Sequence, residues 1–195
     1  MKKNITFFLS LLIIVCNCNK DDHITGPTEP DKIITADYDV LLNGRIVATT
    51  GFGMGVDDSR HLCNWLQQDS LYMRLNYPGS LDWGAVFVTV GGDPKDPPRP
   101  WIDVSSCTKL SIEMKGNMGG EVVLIGIKDK DDPDDGTETK EVVYLTQDWQ
   151  TYEFTLSDFT TCDLTKVYVV TEFVFPCGAS NKAITIDVKN ISILK

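Results

Sequence analysis

The strongest constraint in this chain is a period of two. In LYMRLNY (71–77) the apolar Leu71, Met73 and Leu75 alternate with Tyr72, Arg74 and Asn76. In KLSIEMK (109–115) Leu110, Ile112 and Met114 alternate with Ser111, Glu113 and Lys115, and in TYEFTLS (151–157) Tyr152, Phe154 and Leu156 alternate with Thr151, Glu153 and Thr155. Side chains of an extended chain point to opposite faces in turn, so this pattern specifies strands with one face buried. Four further runs are more uniformly apolar: AVFVTV (85–90), EVVLIGI (121–127), KVYVVTEFVF (166–175) and AITIDV (183–188). Turn-forming clusters separate them, among them YPGSLDWG, GGDPKDPPRP, KGNMGG, DKDDPDDG and PCGASN. No long stretch carries helical periodicity, and DSRHLCNWLQQ (58–68) has room for one short turn. About eight to ten short strands at this spacing predict an all-β, two-sheet jelly-roll sandwich. No repeat of solenoid length is present.

The N-terminus has a different character. Met1-Lys2-Lys3 precedes an apolar run from Ile5 to Val15, broken only by Thr6 and Ser10. A bilayer span needs about 20 apolar residues, whereas an export signal needs about 7–15. The signal reading wins on length. No A-x-A cleavage site follows, and cysteines stand at 16 and 18. A cysteine at this place resembles a bacterial lipoprotein signal, in which the sulfur is acylated. Asn19-Lys20-Asp21-Asp22 resembles the acidic export tag of Bacteroidetes surface lipoproteins, which favours Cys18 over Cys16. The implied organisation is a leader over 1–18, a polar tether over 19–34 with two prolines, and one domain over 35–195. The implied location is the outer membrane, reached through the lipid.

Charge narrows the partners. The formal net charge is −10, and loss of Lys2 and Lys3 with the leader takes it to −12. No basic stripe suits nucleic acid, and an acidic surface disfavours anionic polymers, so a neutral ligand fits better. Four cysteines remain after the leader: Cys63, Cys107, Cys162 and Cys177. They allow three disulfide pairings, and none has zinc-ribbon spacing.

Catalytic motifs are absent from the readable patterns. The histidines, His23 and His61, stand in no Ser-His-Asp, Cys-His or HExxH arrangement. Gly51-Phe52-Gly53-Met54-Gly55 lacks the strand–turn–helix setting of a phosphate loop. Paired carboxylates could make a glycosidase, but among 28 acidic residues some pair will always look suitable. The chain is therefore read as a non-enzyme.

Binding chemistry has better candidates. The acidic segment 128–141, with Asp129 and Asp131, offers oxygen ligands for Ca²⁺ or acceptors for sugar hydroxyls. It does not fit the EF-hand template, and a solvated hairpin loop that keeps a sheet end soluble is the favoured reading. A pyranose presents a C–H face that stacks on aromatic rings. Trp83 opens a strand after a Pro-Gly turn, Trp101 follows DPPRP, and Tyr72 lies on a polar strand face with Arg74. Glu172 interrupts VVTEFVF, and a carboxylate there must be partnered or reach solvent. The competing reading for each ring is burial; Trp149 in DWQTYEF is expected to be a core or edge residue.

The succession DWGAVFV, WIDVSSCTKLSIEMKG, GGEVVLIGIKD, DWQTYEFTLSDF and AITIDVKNISI resembles the galactose-binding-like jelly rolls, which include many carbohydrate-binding modules. The resemblance runs over residues 70–193. It implies a β-sandwich with one flat or concave sheet face. It also implies a structural Ca²⁺ between first and last strands, with Asp187 facing Asp37 and Asp39. The jelly-roll order sets the strand from Lys109 antiparallel to the one ending near Ser157, which predicts a Cys107–Cys162 bridge and leaves Cys63 with Cys177. The function implied is a surface-tethered, monomeric glycan-binding protein using Trp83, Trp101, Tyr72, Arg74 and Glu172. The alternatives are an adhesion or protein-interaction lipoprotein and a small glycan hydrolase or lyase.

Overall fold

The computed structural model describes residues 38–47, 51–62, 64–91, 99–175 and 182–195. The strands in chain order are β1 (Tyr38–Leu42), β2 (Arg45–Ile46), β3 (Phe52–Asp58), β4 (Leu66–Gln68), β5 (Met73–Tyr77) and β6 (Gly84–Val90). They continue with β7 (Lys109–Gly116), β8 (Val122–Asp129), β9 (Lys140–Tyr144), β10 (Gln150–Thr155), β11 (Val167–Phe175) and β12 (Ile184–Leu194). A single 3₁₀ turn over Leu156–Asp158 is the one helical element among the described residues. No described helix is long and apolar enough to cross a membrane.

The strands form two antiparallel sheets, so the expected two-sheet sandwich is present. One sheet runs β10-β7-β12-β1-β2, with β5 also paired to β12 and β4 to β5; the other runs β3-β6-β11-β8-β9. The alternating residues do what their spacing demands. Leu110, Ile112 and Met114 of β7 and Met73 and Leu75 of β5 are fully buried, facing Ile125, Phe173 and Val86 of the opposite sheet in one continuous core. Burying such side chains contributes roughly 1.5–3 kcal/mol each. The long β12 pairs β5 through its first half and β1 through its second, with a bulge between Val188 and Asn190. β11, buried along nearly its whole length, is central in its sheet.

β7 and β10 are antiparallel with Lys109 opposite Thr155, as the jelly-roll order requires. The bridge expected from that pairing is not made: Cys107 and Cys162 are not joined to each other. After Leu156 hydrogen-bonds Thr108, the chain buries Phe159 and crosses toward the other sheet. There Thr161 Oγ1 accepts from the Thr139 amide, Asp129 Oδ2 accepts from the Asp163 amide, and Leu164 O accepts from the Val104 amide. Cys162 is carried with this crossing while Cys107 stays in the core. Burial, reinforced by Asp129, Asp163 and Asp132, pushes the Cys162 thiol up to about 12. Cys18, Cys63, Cys177 and Asp37 lie outside the described residues.

The calcium pair also separates. Asp39 is opposite Ser192 and accepts its hydroxyl at 2.9 Å, whereas Asp187 is opposite Arg74 and Lys115. Four residues of extended β12 intervene, a separation of roughly 17 Å. Asp187 is instead neutralised by Arg74, whose Nε and Nη2 donate at 2.7 and 2.9 Å. The two aspartates do not fit one cation, and no described group of three or more His, Cys, Asp or Glu is placed to hold a metal.

Candidate carbohydrate-binding face

The outward side of the five-stranded sheet is set by strand parity. Val86 and Val88 of β6 point into the core, so Ala85 and Phe87 point out, and Trp83, just before the strand, shares their side. The pairing of the Ser59 amide with Trp83 O extends the β3–β6 ladder to this residue. Register then lays out lanes across the strands. One runs Asp57, Ala85, Val174, Leu124, Val142; the next runs Gly55, Phe87, Glu172, Gly126, Lys140. A third begins at Trp83 and reaches Val122 and Tyr144, because Val122 and Trp83 each stand two residues before the Leu124–Ala85 lane. Trp83 is 40% exposed, Val142 53% and Tyr144 70%. Two exposed rings therefore share one side of the sheet, three strand spacings or about 14 Å apart, with an apolar lane beside them.

Glu172 occupies the middle of the face and is 4% exposed. Its side chain lies over β8, where Gly126 leaves the space: a Cβ at 126 would collide with Glu172 Oε1. It belongs to a compact ionic cluster. Lys128 Nζ lies 3.6 Å from Glu138 Oε1, 4.0 Å from Glu172 Oε2, and 3.5 Å from both Asp132 and Asp134, and Lys140 Nζ lies 2.6 Å from Glu138 Oε1. Arg99 closes the cluster, stacking on Tyr168 and donating to Asp132 O and Asp134. Glu172 Oε1 and Glu138 Oε2 are both buried with no donor among the described residues. The two carboxyl groups also hydrogen-bond each other, which requires that one of them hold a proton. Burial, reinforced by its hydrogen bond with Glu138, raises Glu172 to about 8 and favours its neutral form. Glu138 is held down: burial opposes its charge, but Glu172, Lys140 and Lys128 outweigh it. Lys128 stays charged in the same way, burial being outweighed by Glu172, Glu138, Asp132 and Asp134. With Glu172 protonated, three cations (Lys128, Lys140, Arg99) meet three carboxylates (Glu138, Asp132, Asp134), and the cluster is neutral.

The expected site residues are divided by this geometry. Trp83 and Glu172 share the face. Trp101 lies toward its other end: Ile102 bridges to Val167 and is buried, so half-buried Trp101 turns outward near Tyr168. Along β11 that is on the order of 25 Å from the Trp83 end, too far for the two tryptophans to stack on one ring pair. Tyr72 and Arg74 belong to the seven-stranded sheet, on the opposite side of the sandwich. Trp149, expected in the core or at an edge, is half-buried on that same outer side, 6.0 Å from the Tyr72 ring. Asp129 serves the loops, accepting from the Asp131 and Asp163 amides, and Asp131 is an exposed partner of Lys130. Phe87, Val142 and Tyr144 were not among the expected residues. Phe87 is hidden in an apolar run, although its parity with Trp83 was available as a signal.

The fold is shared with solved carbohydrate-binding modules. The family 30 module of a cellulosomal cellulase of Clostridium thermocellum superposes with a TM-score of 0.56 at 18% identity, covering 82% of this chain and 97% of that one. A second family 30 module gives a TM-score of 0.55 at 19% identity, covering 81% and 87%. A variant of a family 29 module, complexed with cellulohexaose, gives 0.51 at 14% identity, covering 81% and 89%. No curated protein sequence matches the chain significantly. Residues 51–195 match carbohydrate binding domain 30, which takes in both sheets apart from the β1–β2 hairpin. The chain thus belongs to the carbohydrate binding domain 30 family, a family of non-catalytic sugar-binding modules.

Proposed function

We propose that this protein holds a neutral, extended polysaccharide or oligosaccharide across the five-stranded sheet without cutting it. The observation that carries the reading is the outward lane from Trp83 to Tyr144, with its apolar neighbour lane and Phe87 beside it. Exposed rings spaced across one sheet face suit successive pyranose faces. The buried Glu172–Glu138 pair keeps the floor electrically neutral, which suits an uncharged ligand. The cellulohexaose complex of the family 29 neighbour supports a β-glucan type of chain. We place the domain at the cell surface, tethered through residues 19–34 to an acylated Cys18. The leader's length and the Asn19–Asp22 segment support that placement.

Calorimetry of the protein against soluble neutral glucans, with Trp83→Ala and Tyr144→Ala alongside, tests the site. Each ring should contribute on the order of 1 kcal/mol, about fivefold in Kd. If both variants bind as wild type does, the site is elsewhere. If no glycan binds while a protein ligand does, the adhesion reading replaces this one. Mass spectrometry of the mature N-terminus tests the anchor, and an unmodified terminus beyond residue 18 removes it.

A further inference from the structure

We propose that the outer side of the seven-stranded sheet is a second ligand surface, which takes a carboxylate-bearing sugar unit. Tyr72 and Trp149 flank β5 and β10, with β12 and β7 between those strands, yet their rings meet at 6.0 Å with a 54° tilt over the intervening strands. Cations gather around this pair. The Arg74 guanidinium is 5.2 Å from the Tyr72 centroid, and Lys115 and Lys189 Nζ are 5.2 and 5.8 Å from the Trp149 centroid. Arg74, Asp187 and Lys115 stand in one register row across the sheet.

Asp187 and Glu113, the two acids hydrogen-bonded to the cations of the patch, are already engaged. Asp187 accepts two hydrogen bonds from Arg74, and Glu113 accepts from Lys189 at 3.0 Å and Asn190 at 2.5 Å. Lys115 Nζ lies 3.8 Å from Asp187 Oδ2, beyond hydrogen-bond range. Asp69 also acts on Arg74, so three cations meet three carboxylates, and the cation held least closely is Lys115, whose approach to Asp187 falls short of a hydrogen bond. The side chains of Lys115, Lys189 and Arg74 are 29, 35 and 35% exposed, so their heads reach solvent. Half-buried rings beside solvent-reaching ammonium donors match a pyranose that carries a carboxylate: its C–H face lies on the rings and its charge meets the lysines. This ligand differs from the neutral chain of the Glu172 face and does not depend on it.

The test titrates the full chain with an oligogalacturonate and with the uncharged galactose oligomer of the same length, by calorimetry at low and moderate salt. The variants are Lys115→Ala/Lys189→Ala and Trp83→Ala; removing two exposed lysine heads leaves the core intact, and thermal melts verify this. The expected result is binding of the charged oligomer only, weakened by salt, reduced about 5–10-fold in the lysine double variant and unchanged in Trp83→Ala. Absence of oligogalacturonate binding, or equal binding by the double variant, overturns the proposal. So does capture by phosphatidylglycerol vesicles that is lost in the double variant while the sugar acid does not bind, which would make the patch a lipid-phosphate contact.

Discussion

Glu172→Gln should change how stability depends on pH. In the folded protein Glu172 ionises near 8 because burial and the Glu138 carboxyl disfavour its charge, against 4.5 when unfolded. As pH rises past about 4.5 the unfolded chain releases this proton and the folded chain keeps it. The stabilising contribution is therefore complete below 4.5 and is lost progressively up to about 8. Glu138 is depressed, so its contribution is present above 4.5 and is lost only on acidification; between pH 6 and 8 it is constant. One retained proton gives a slope of about 1.4 kcal/mol per pH unit. Since Glu172 is 4% exposed, solvent screening takes little from this figure. From pH 6 to 8 the wild type should lose roughly 2–3 kcal/mol, or about 5–10 °C in Tm for a chain of this size. Glutamine keeps the shape and a donor for Glu138 but cannot ionise. Melting curves at half-unit pH steps should show the two proteins diverging above pH 6, with the variant the flatter. Parallel profiles would refute the retained proton and, with it, the neutral floor of the sugar face.

Three further outcomes follow from named contacts. Arg74→Ala leaves the buried Asp187 carboxylate without its two charged donors and should destabilise by about 2–3 kcal/mol in urea denaturation; a Lys189→Ala control should cost far less. Gly126→Ala drives a methyl into Glu172 Oε1 and should cost about 1–3 kcal/mol, while also lowering glycan affinity by displacing the carboxyl. Cys162, a partly buried thiol raised to about 12, should resist iodoacetamide at pH 8 in the folded protein and alkylate on unfolding, and no Cys107–Cys162 peptide should appear in a non-reducing digest.

The sandwich was legible in the chain because strand periodicity is local. Leu110, Ile112 and Met114 need only alternate to declare which side of β7 is buried, and the turn clusters need only their own residues to separate the strands. Parity also put Tyr72 and Arg74 on the polar face of their strand, where the structure has them. What parity does not contain is the identity of the neighbouring strand. Tyr72 and Trp83 are only 11 positions apart in the chain, yet β5 and β6 enter different sheets, so the two rings stand on opposite sides of the molecule. Phe87 and Glu172 became neighbours, and Tyr144 came to share a lane with Trp83, only through pairings between segments distant in sequence. Arg74 likewise meets Asp187 across 113 positions and converts an expected cation ligand into half of an ion pair. Local alternation decides how each strand buries its residues; the order of strands within each sheet decides which exposed residues can act together, and that order is a property of the whole folded chain.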